Sequence, residues 1–245
     1  MRFTTRILIL IILSLGVSFA VAQDTTEEIT PMSVNIEATD DLILVGDFYP
    51  TITDEPAPAV LLLHMLGSDR TAWNQLIPEL VSANYNVLTV DMRGHGDTGG
   101  DIDWIAAEDD VQIMLNWLRD QDSVQDSAIA IIGASIGSNL ALIGCANDAD
   151  CVTAVALSPG LDYRGVMPEE AVTVGLSERS VLLIATHGDD ESAEAVKQML
   201  NNSQDGEIAV ELHSGGLHGT SMFVLPRLRE RVFASILYWL NIHLS

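Results

Sequence analysis

The chain has 245 residues, 48% of them hydrophobic, and its 35 acidic against 11 basic side chains give a formal charge of −24. That length suits one α/β domain, with a core large enough to need no help from a metal. The acidity argues against nucleic acid or an anionic membrane surface as a partner and favours solubility.

In chain order, residues 1–22 form a candidate export signal. Arg2 and Arg6 precede the apolar run Ile7–Leu13, and Ala20-Val21-Ala22 has the small-x-small form that signal peptidase reads. The run is short for a membrane span and no second long one follows. The expectation is cleavage after Ala22 and a secreted or periplasmic protein with no stable membrane association. Residues 23–31 are polar and acidic and are expected to be a disordered N-terminal segment, leaving 32–245 as the folded domain. Met32–Ala38 and Leu42–Tyr49 alternate in polarity around Asp40-Asp41 and predict a β-hairpin.

Beyond the Pro-rich connector at 53–59 the pattern changes to short, continuous apolar runs. Val60–Leu63, Val87–Val90, Ile129–Ile132, Val152–Leu157 and Val181–Ala185 read as strands, and their lack of alternation implies burial on both faces, as in a parallel sheet; Ile208–Leu212 reads as a further strand. Between them lie segments of helical spacing, such as Val111, Met114, Leu115 and Leu118. Another is the C-terminal series Leu225, Leu228, Val232, Ile236 and Leu240. Strand and helix in alternation predict an open, doubly wound, mostly parallel sheet. Cys145 and Cys151, an even count in a chain read as exported, are expected to pair. With no further Cys or His at ligand spacing, they do not suggest zinc.

The segment 128–139, AIAIIGASIGSN, places Ser135 between Gly133 and Gly137 at the end of a buried strand and before a helix over Asn139–Cys145. Gly-x-Ser-x-Gly is weak alone, and serine is also a common helix N-cap. The strand–turn–helix context points instead to a nucleophile, held in a strained turn where the two glycines keep strand and helix clear of each other. Open α/β sheets bind their ligands at this end.

With the flanking motifs LLLHMLGS (61–68), VDMRGHGDT (90–98), IATHGDD (184–190) and GGLHGTS (215–221), residues 32–243 resemble the α/β-hydrolase superfamily. Within it the likeness is to its small, lidless, dienelactone-hydrolase-like and carboxylesterase-like branch. Met65 stands where many members have glycine, and Ser138 replaces a frequent third glycine. The resemblance implies a serine hydrolase acting on a small-molecule ester through an acyl-enzyme. His218, in a glycine-rich loop between the last strand and the last helix, is the candidate base. The family's turn after the next-to-last strand makes Asp189 the candidate orienting acid. Asp190, otherwise a helix N-cap, and Asp162 are the alternatives. The oxyanion donors would be the backbone N–H of Ile136 and that of Leu66, with Met65 as substitute. Asp91, Arg93 and His95 read as a structural brace, His64 as a loop residue that shapes the oxyanion site, and His213 as part of a strand end.

Only about twenty residues separate Ser158 from Ser180, room for one short helix rather than a lid. An open, shallow site suits short acyl esters or exposed ester groups. Leu161, Tyr163, Met167 and Met222 are candidate walls. No dinucleotide fingerprint, phosphate loop or metal-ligand cluster appears, so no cofactor is implied. A peptidase or amidase of the same fold, or a catalytically silent binding protein, remains open at this level, as does the oligomeric state.

Overall fold

The apolar runs become strands whose side chains divide between two cores. In this computed structural model, which describes residues 30–53, 55–203 and 206–244, Leu61 and Leu63 face one core while Val60 and Leu62 face the other. Ile129 and Ile131 are divided in the same way from Ala130 and Ile132. This is the sheet's period of two expressed without any polar face, because both faces are covered. The candidate leader 1–22 lies outside the described residues, as does nearly all of the acidic segment after it.

The strands are β1 (Met32–Glu37), β2 (Ile43–Tyr49), β3 (Ala57–Leu63), β4 (Asn86–Val90), β5 (Val124–Ala134), β6 (Cys151–Leu157), β7 (Ser180–Thr186) and β8 (Glu207–His213). They form one eight-stranded sheet in the order β1-β2-β4-β3-β5-β6-β7-β8. The expected hairpin β1–β2 is antiparallel and joins β4 in antiparallel register; all remaining pairs are parallel. Helices α2 (Trp104–Arg119), α3 (Ile136–Asn147) and α4 (Asp190–Asn202) cover one face. Helices α1 (Ile77–Ser82) and α5 (Pro226–His243) cover the other, and Trp73 and Phe223 lie in the same core with their rings tilted and 5.9 Å apart.

Most strands run a residue or more beyond the apolar runs, and β3 takes in Ala57, Pro58 and Ala59 from the expected connector; two other differences are larger or adjoin the serine. β5 begins at Val124, five residues early, through the exposed polar stretch Gln125-Asp126-Ser127 that hydropathy does not register as strand. Helix α3 begins at Ile136 rather than Asn139, directly after Ser135, so no spacer separates the serine from the helix.

Cys145 and Cys151 are bonded, with Cα atoms 5.2 Å apart, and join the end of α3 to the start of β6. The polar loop they close is organised from within. Asp148 accepts the backbone N–H groups of Asp150 and Cys151 at 2.9 and 3.0 Å and pairs with Arg119 at 2.6 Å. Arg179, just before β7, donates to the carbonyls of Cys145, Ala146, Asp148, Cys151 and Gly175. It thereby neutralises the carbonyl-rich C-terminus of α3. Among the described residues no helix is long and apolar enough to cross a membrane.

Candidate active site

Ser135 is the single residue between β5 and α3, and its backbone is left-handed, with φ +54° and ψ −125°. Such a conformation is uncommon outside glycine and persists only where neighbours enforce it. Here the enforcement is backbone against backbone. A methyl group on Gly133 would overlap the Gly137 carbonyl, and one on Gly137 would overlap the carbonyl oxygens of Leu63 and His64. Only glycine lets β5, the start of α3 and the end of β3 come this close. The Ser135 N–H donates to the Leu157 carbonyl at 2.8 Å, and the Ser135 carbonyl accepts from the Ser138 and Asn139 N–H groups. Ser135 makes no side-chain capping bond, so the N-cap reading of the sequence does not describe its hydroxyl.

His218 follows β8 in a loop that returns to Ser135. A methyl on Gly219, the next residue, would lie 3.7 Å from the Ser135 nitrogen and 3.4 Å from the Ala134 Cβ. The His218 Nδ1–H donates to Asp189 Oδ2 at 2.7 Å. That geometry leaves Nε2 as the imidazole's free acceptor. The ring is 37% exposed while the Asp189 carboxylate is only 12% exposed, so the pair is open on one side and shielded behind. Part of the shield is Tyr163, whose ring meets the imidazole edge-on at 6.2 Å. Burial pushes the Tyr163 hydroxyl up to about 12, so it remains a neutral donor.

Asp189 occupies the N-cap position of α4 but makes no capping bond, its carboxylate being turned to His218. Asp190 is the first helical residue and exposed, not the N-cap the sequence suggested. Asp162 closes a local turn by accepting the Gly165 N–H at 2.7 Å. Neither alternative carboxylate hydrogen-bonds to His218.

Leu66 lies in the tight turn after β3, closed by the Ser68 N–H on the Met65 carbonyl at 3.1 Å, with Gly67 at φ +72°. Among the described residues the Leu66 N–H makes no hydrogen bond. The Ile136 N–H is the first of α3 and has no acceptor within the helix. Each is a backbone N–H of the kind an oxyanion requires, and that of Ile136 lies at the positive end of α3.

His64 is locked in place below this turn. Its Nδ1–H donates to the Met65 carbonyl at 2.9 Å, so its Nε2 accepts the Met92 N–H at 3.0 Å. Burial holds its pKa down to about 4, and the neighbouring His95, 5.0 Å away ring to ring, acts in the same direction. With both nitrogens occupied, His64 is a structural residue, as expected. His213 sits at the end of β8 beside Glu211, with Nε2 and Oε2 3.2 Å apart, close enough for an ion pair but not aligned as a hydrogen bond.

The brace around these loops is larger than the sequence suggested. Asp91 accepts from the backbone N–H of Arg70 at 2.7 Å, from the Arg70 guanidinium, and from the Asp97 N–H at 2.8 Å. Arg70 also reaches Asp47 on β2 and Asp97. Arg93 forms a fork on Asp110 of α2 at 2.6 and 2.7 Å and touches Asp40 in the hairpin turn. Arg70 and Asp110 carried no sequence signal, since an acid or an arginine in a polar or helical stretch reads as a solvated face. Of the candidate walls, Tyr163 flanks the imidazole, Leu161 is half-buried against the core, and Met222 is fully buried in the second core. Met167 is exposed, beside a depression of about 330 Å³ with Ile143 and Val174 on the flank of α3.

Residues 60–202, from β3 to the end of α4, match the alpha/beta hydrolase family. The chain belongs to that family. Two solved structures of similar shape are the esterase Pf2001 of Pyrococcus furiosus and a dienelactone hydrolase of Anabaena variabilis. Pf2001 has a TM-score of 0.75 and 18% identity over 89% of this chain and 92% of its own. The Anabaena enzyme has a TM-score of 0.71 and 17% identity over 88% of this chain and 99% of its own. In sequence, the alpha/beta hydrolase described here is 29% identical over 124 residues to YfhR of Salmonella typhimurium, an uncharacterized protein. That likeness spans 47% of this chain and only 42% of YfhR.

Proposed function

We propose that this alpha/beta hydrolase is an exported serine esterase that cleaves carboxylic esters of small molecules through a covalent acyl-enzyme. The observation that carries the reading is the 2.7 Å hydrogen bond from His218 Nδ1 to Asp189, on a loop returned to the strained Ser135 turn. With Nδ1 protonated and held by the carboxylate, Nε2 takes the Ser135 proton as the hydroxyl attacks the ester carbonyl. The oxyanion that forms accepts hydrogen bonds from the Ile136 and Leu66 N–H groups. His218 then gives its proton to the leaving alcohol, and a water activated by the same nitrogen releases the acid and restores Ser135.

An unlidded site supports esters of short acyl chains. The segment between β6 and β7 carries one helical turn, Ala171–Gly175. Gly175 packs against Ala146 near the far end of α3 from Ser135. Export is supported by the leader-like residues 1–22 and by the Cys145–Cys151 bond, which oxidising compartments favour.

Treatment with a fluorophosphonate followed by peptide mass spectrometry tests the core of the proposal. Ser135 is expected to carry the label. Folded protein with an unlabelled Ser135 excludes an acyl-enzyme there and favours a silent binding module. A panel of p-nitrophenyl esters against aminoacyl anilides separates esterase from amidase, and short-chain esters are expected to be turned over fastest.

A further inference from the structure

The end of β6 holds both loops that carry the proposed nucleophile and base. The Leu157 carbonyl accepts the Ser135 N–H at 2.8 Å. One residue on, the Ser158 hydroxyl accepts the N–H of Gly219, which directly follows His218, at 2.9 Å. Ser158 is wholly buried and its backbone is left-handed at φ +53°, like that of Ser135 just past the end of the neighbouring strand β5. Non-glycine residues keep this conformation only where their surroundings over-determine it, and such residues cluster at functional sites.

The surroundings do over-determine it. The Ser158 N–H donates across the sheet to the Ile184 carbonyl at 2.7 Å. Its own carbonyl accepts the Tyr163 hydroxyl at 3.3 Å, and that hydroxyl also meets Ser192 Oγ of α4 at 3.2 Å. Gly219 in turn has φ +52°, and a methyl group there would lie 3.2 Å from Met65 Sδ, so the loop is seated between the oxyanion turn and β6.

We propose that Ser158 is a positioning residue for the hydrolytic reaction. Together with Leu157 it fixes the separation of Ser135 and His218, by holding both backbones from one rigid dipeptide. This rests on the Ser135–His218 reading above. A hydroxyl that merely satisfied a buried N–H would affect folding alone. One that sets the distance between nucleophile and base affects the chemical step, where a misplacement of about 1 Å costs on the order of 10²-fold.

The informative variant is Ser158→Gly, which removes the hydroxyl while relaxing the left-handed backbone. On p-nitrophenyl acetate, kcat is expected to fall at least about tenfold, with KM within about twofold of the parent. Fluorophosphonate labelling of Ser135 should slow by the same factor, while the thermal midpoint stays within a few degrees. Ser158→Ala, which keeps the strain, should lose as much kcat with a lower midpoint, and it decides the matter if the glycine variant does not fold. A smaller loss of kcat in a folded variant overturns the proposal. His218→Ala tests the underlying reading separately. Full turnover in that variant removes the triad and this inference with it. Abolished turnover there beside an active Ser158→Gly removes the role of Ser158 alone.

Discussion

Replacing Asp189 by asparagine keeps the side chain's shape and removes its charge. In the hydrolytic step His218 becomes an imidazolium, and the 2.7 Å contact puts its charge about 4–5 Å from the centre of the Asp189 carboxylate. At an effective dielectric near 20 that attraction is about 3–4 kcal/mol. The 37% exposure of the ring places it at the lower end, so charge loss alone slows the step roughly 10²-fold. A second effect adds to this. The asparagine amide can donate to Nδ1, which leaves the proton on Nε2 and the Ser135 hydroxyl without an acceptor. In a serine protease triad the corresponding change lowers kcat about 10⁴-fold. Asp189→Asn is therefore expected to lose about 10²–10⁴ in kcat on p-nitrophenyl acetate. Because Asp189 makes no capping bond to α4, its thermal midpoint should stay near that of the parent. Asp190→Asn and Asp162→Asn, whose side chains do not hydrogen-bond to the imidazole, should stay within about threefold. An Asp189→Asn enzyme retaining more than a tenth of parental kcat would refute the assignment, above all if either control lost more.

Titration of thiols in denatured, unreduced protein should find none, because Cys145 and Cys151 are joined. The double Ser variant should lose about 2 kcal/mol, the loop-closure value for a bridge six residues apart, seen as a lower urea midpoint. The pKa of His64 is about 4 when folded and about 6.5 when unfolded, so below pH 6.5 the unfolded chain binds the extra proton. Stability from this residue is complete above pH 6.5 and falls by about 3 kcal/mol as pH drops towards 4. His64→Gln should flatten that part of the urea-midpoint profile; an unchanged slope would contradict the burial argument. Asp110→Ala strands the buried Arg93 guanidinium and should destabilise by about 3–5 kcal/mol in equilibrium unfolding. A loss below about 1 kcal/mol would mean that Asp40 and solvent suffice for Arg93.

The sheet was legible because burial on both faces leaves an unmistakable trace, as in Val181–Ala185, where every residue is apolar and buried. The hairpin was legible for the opposite reason, its alternation around Asp40-Asp41. What escaped was structure made by polar residues. The start of β5 is exposed and hydrophilic, and α1 is a six-residue helix with too few turns to show a period. At the site, the residue types in the serine, histidine and acid loops named the candidates, yet three carboxylates fitted the acid on sequence alone. Only side-chain direction separates Asp189 from Asp190, and sequence adjacency conceals it. Ser158 and Arg70 were invisible because each works through partners distant in the chain, the Gly219 N–H for one and the carboxylates of Asp47 and Asp91 for the other.

The contacts at Gly133 and Gly137 also bear on how far such a chain can diverge. Where the end of β3, the end of β5 and the start of α3 meet, no side chain lies between the backbones. Their spacing is thus set by the size of the peptide unit, which no mutation alters, rather than by the volumes of core residues, which drift. Leucines, isoleucines and valines in the two cores can be exchanged over generations, each swap absorbed by small helix shifts elsewhere. The contacts that hold the serine turn against the turn after β3 are not among the groups such swaps change. Similarity of shape at a TM-score of 0.75 with only 18% identity to Pf2001 is the outcome that such an arrangement permits.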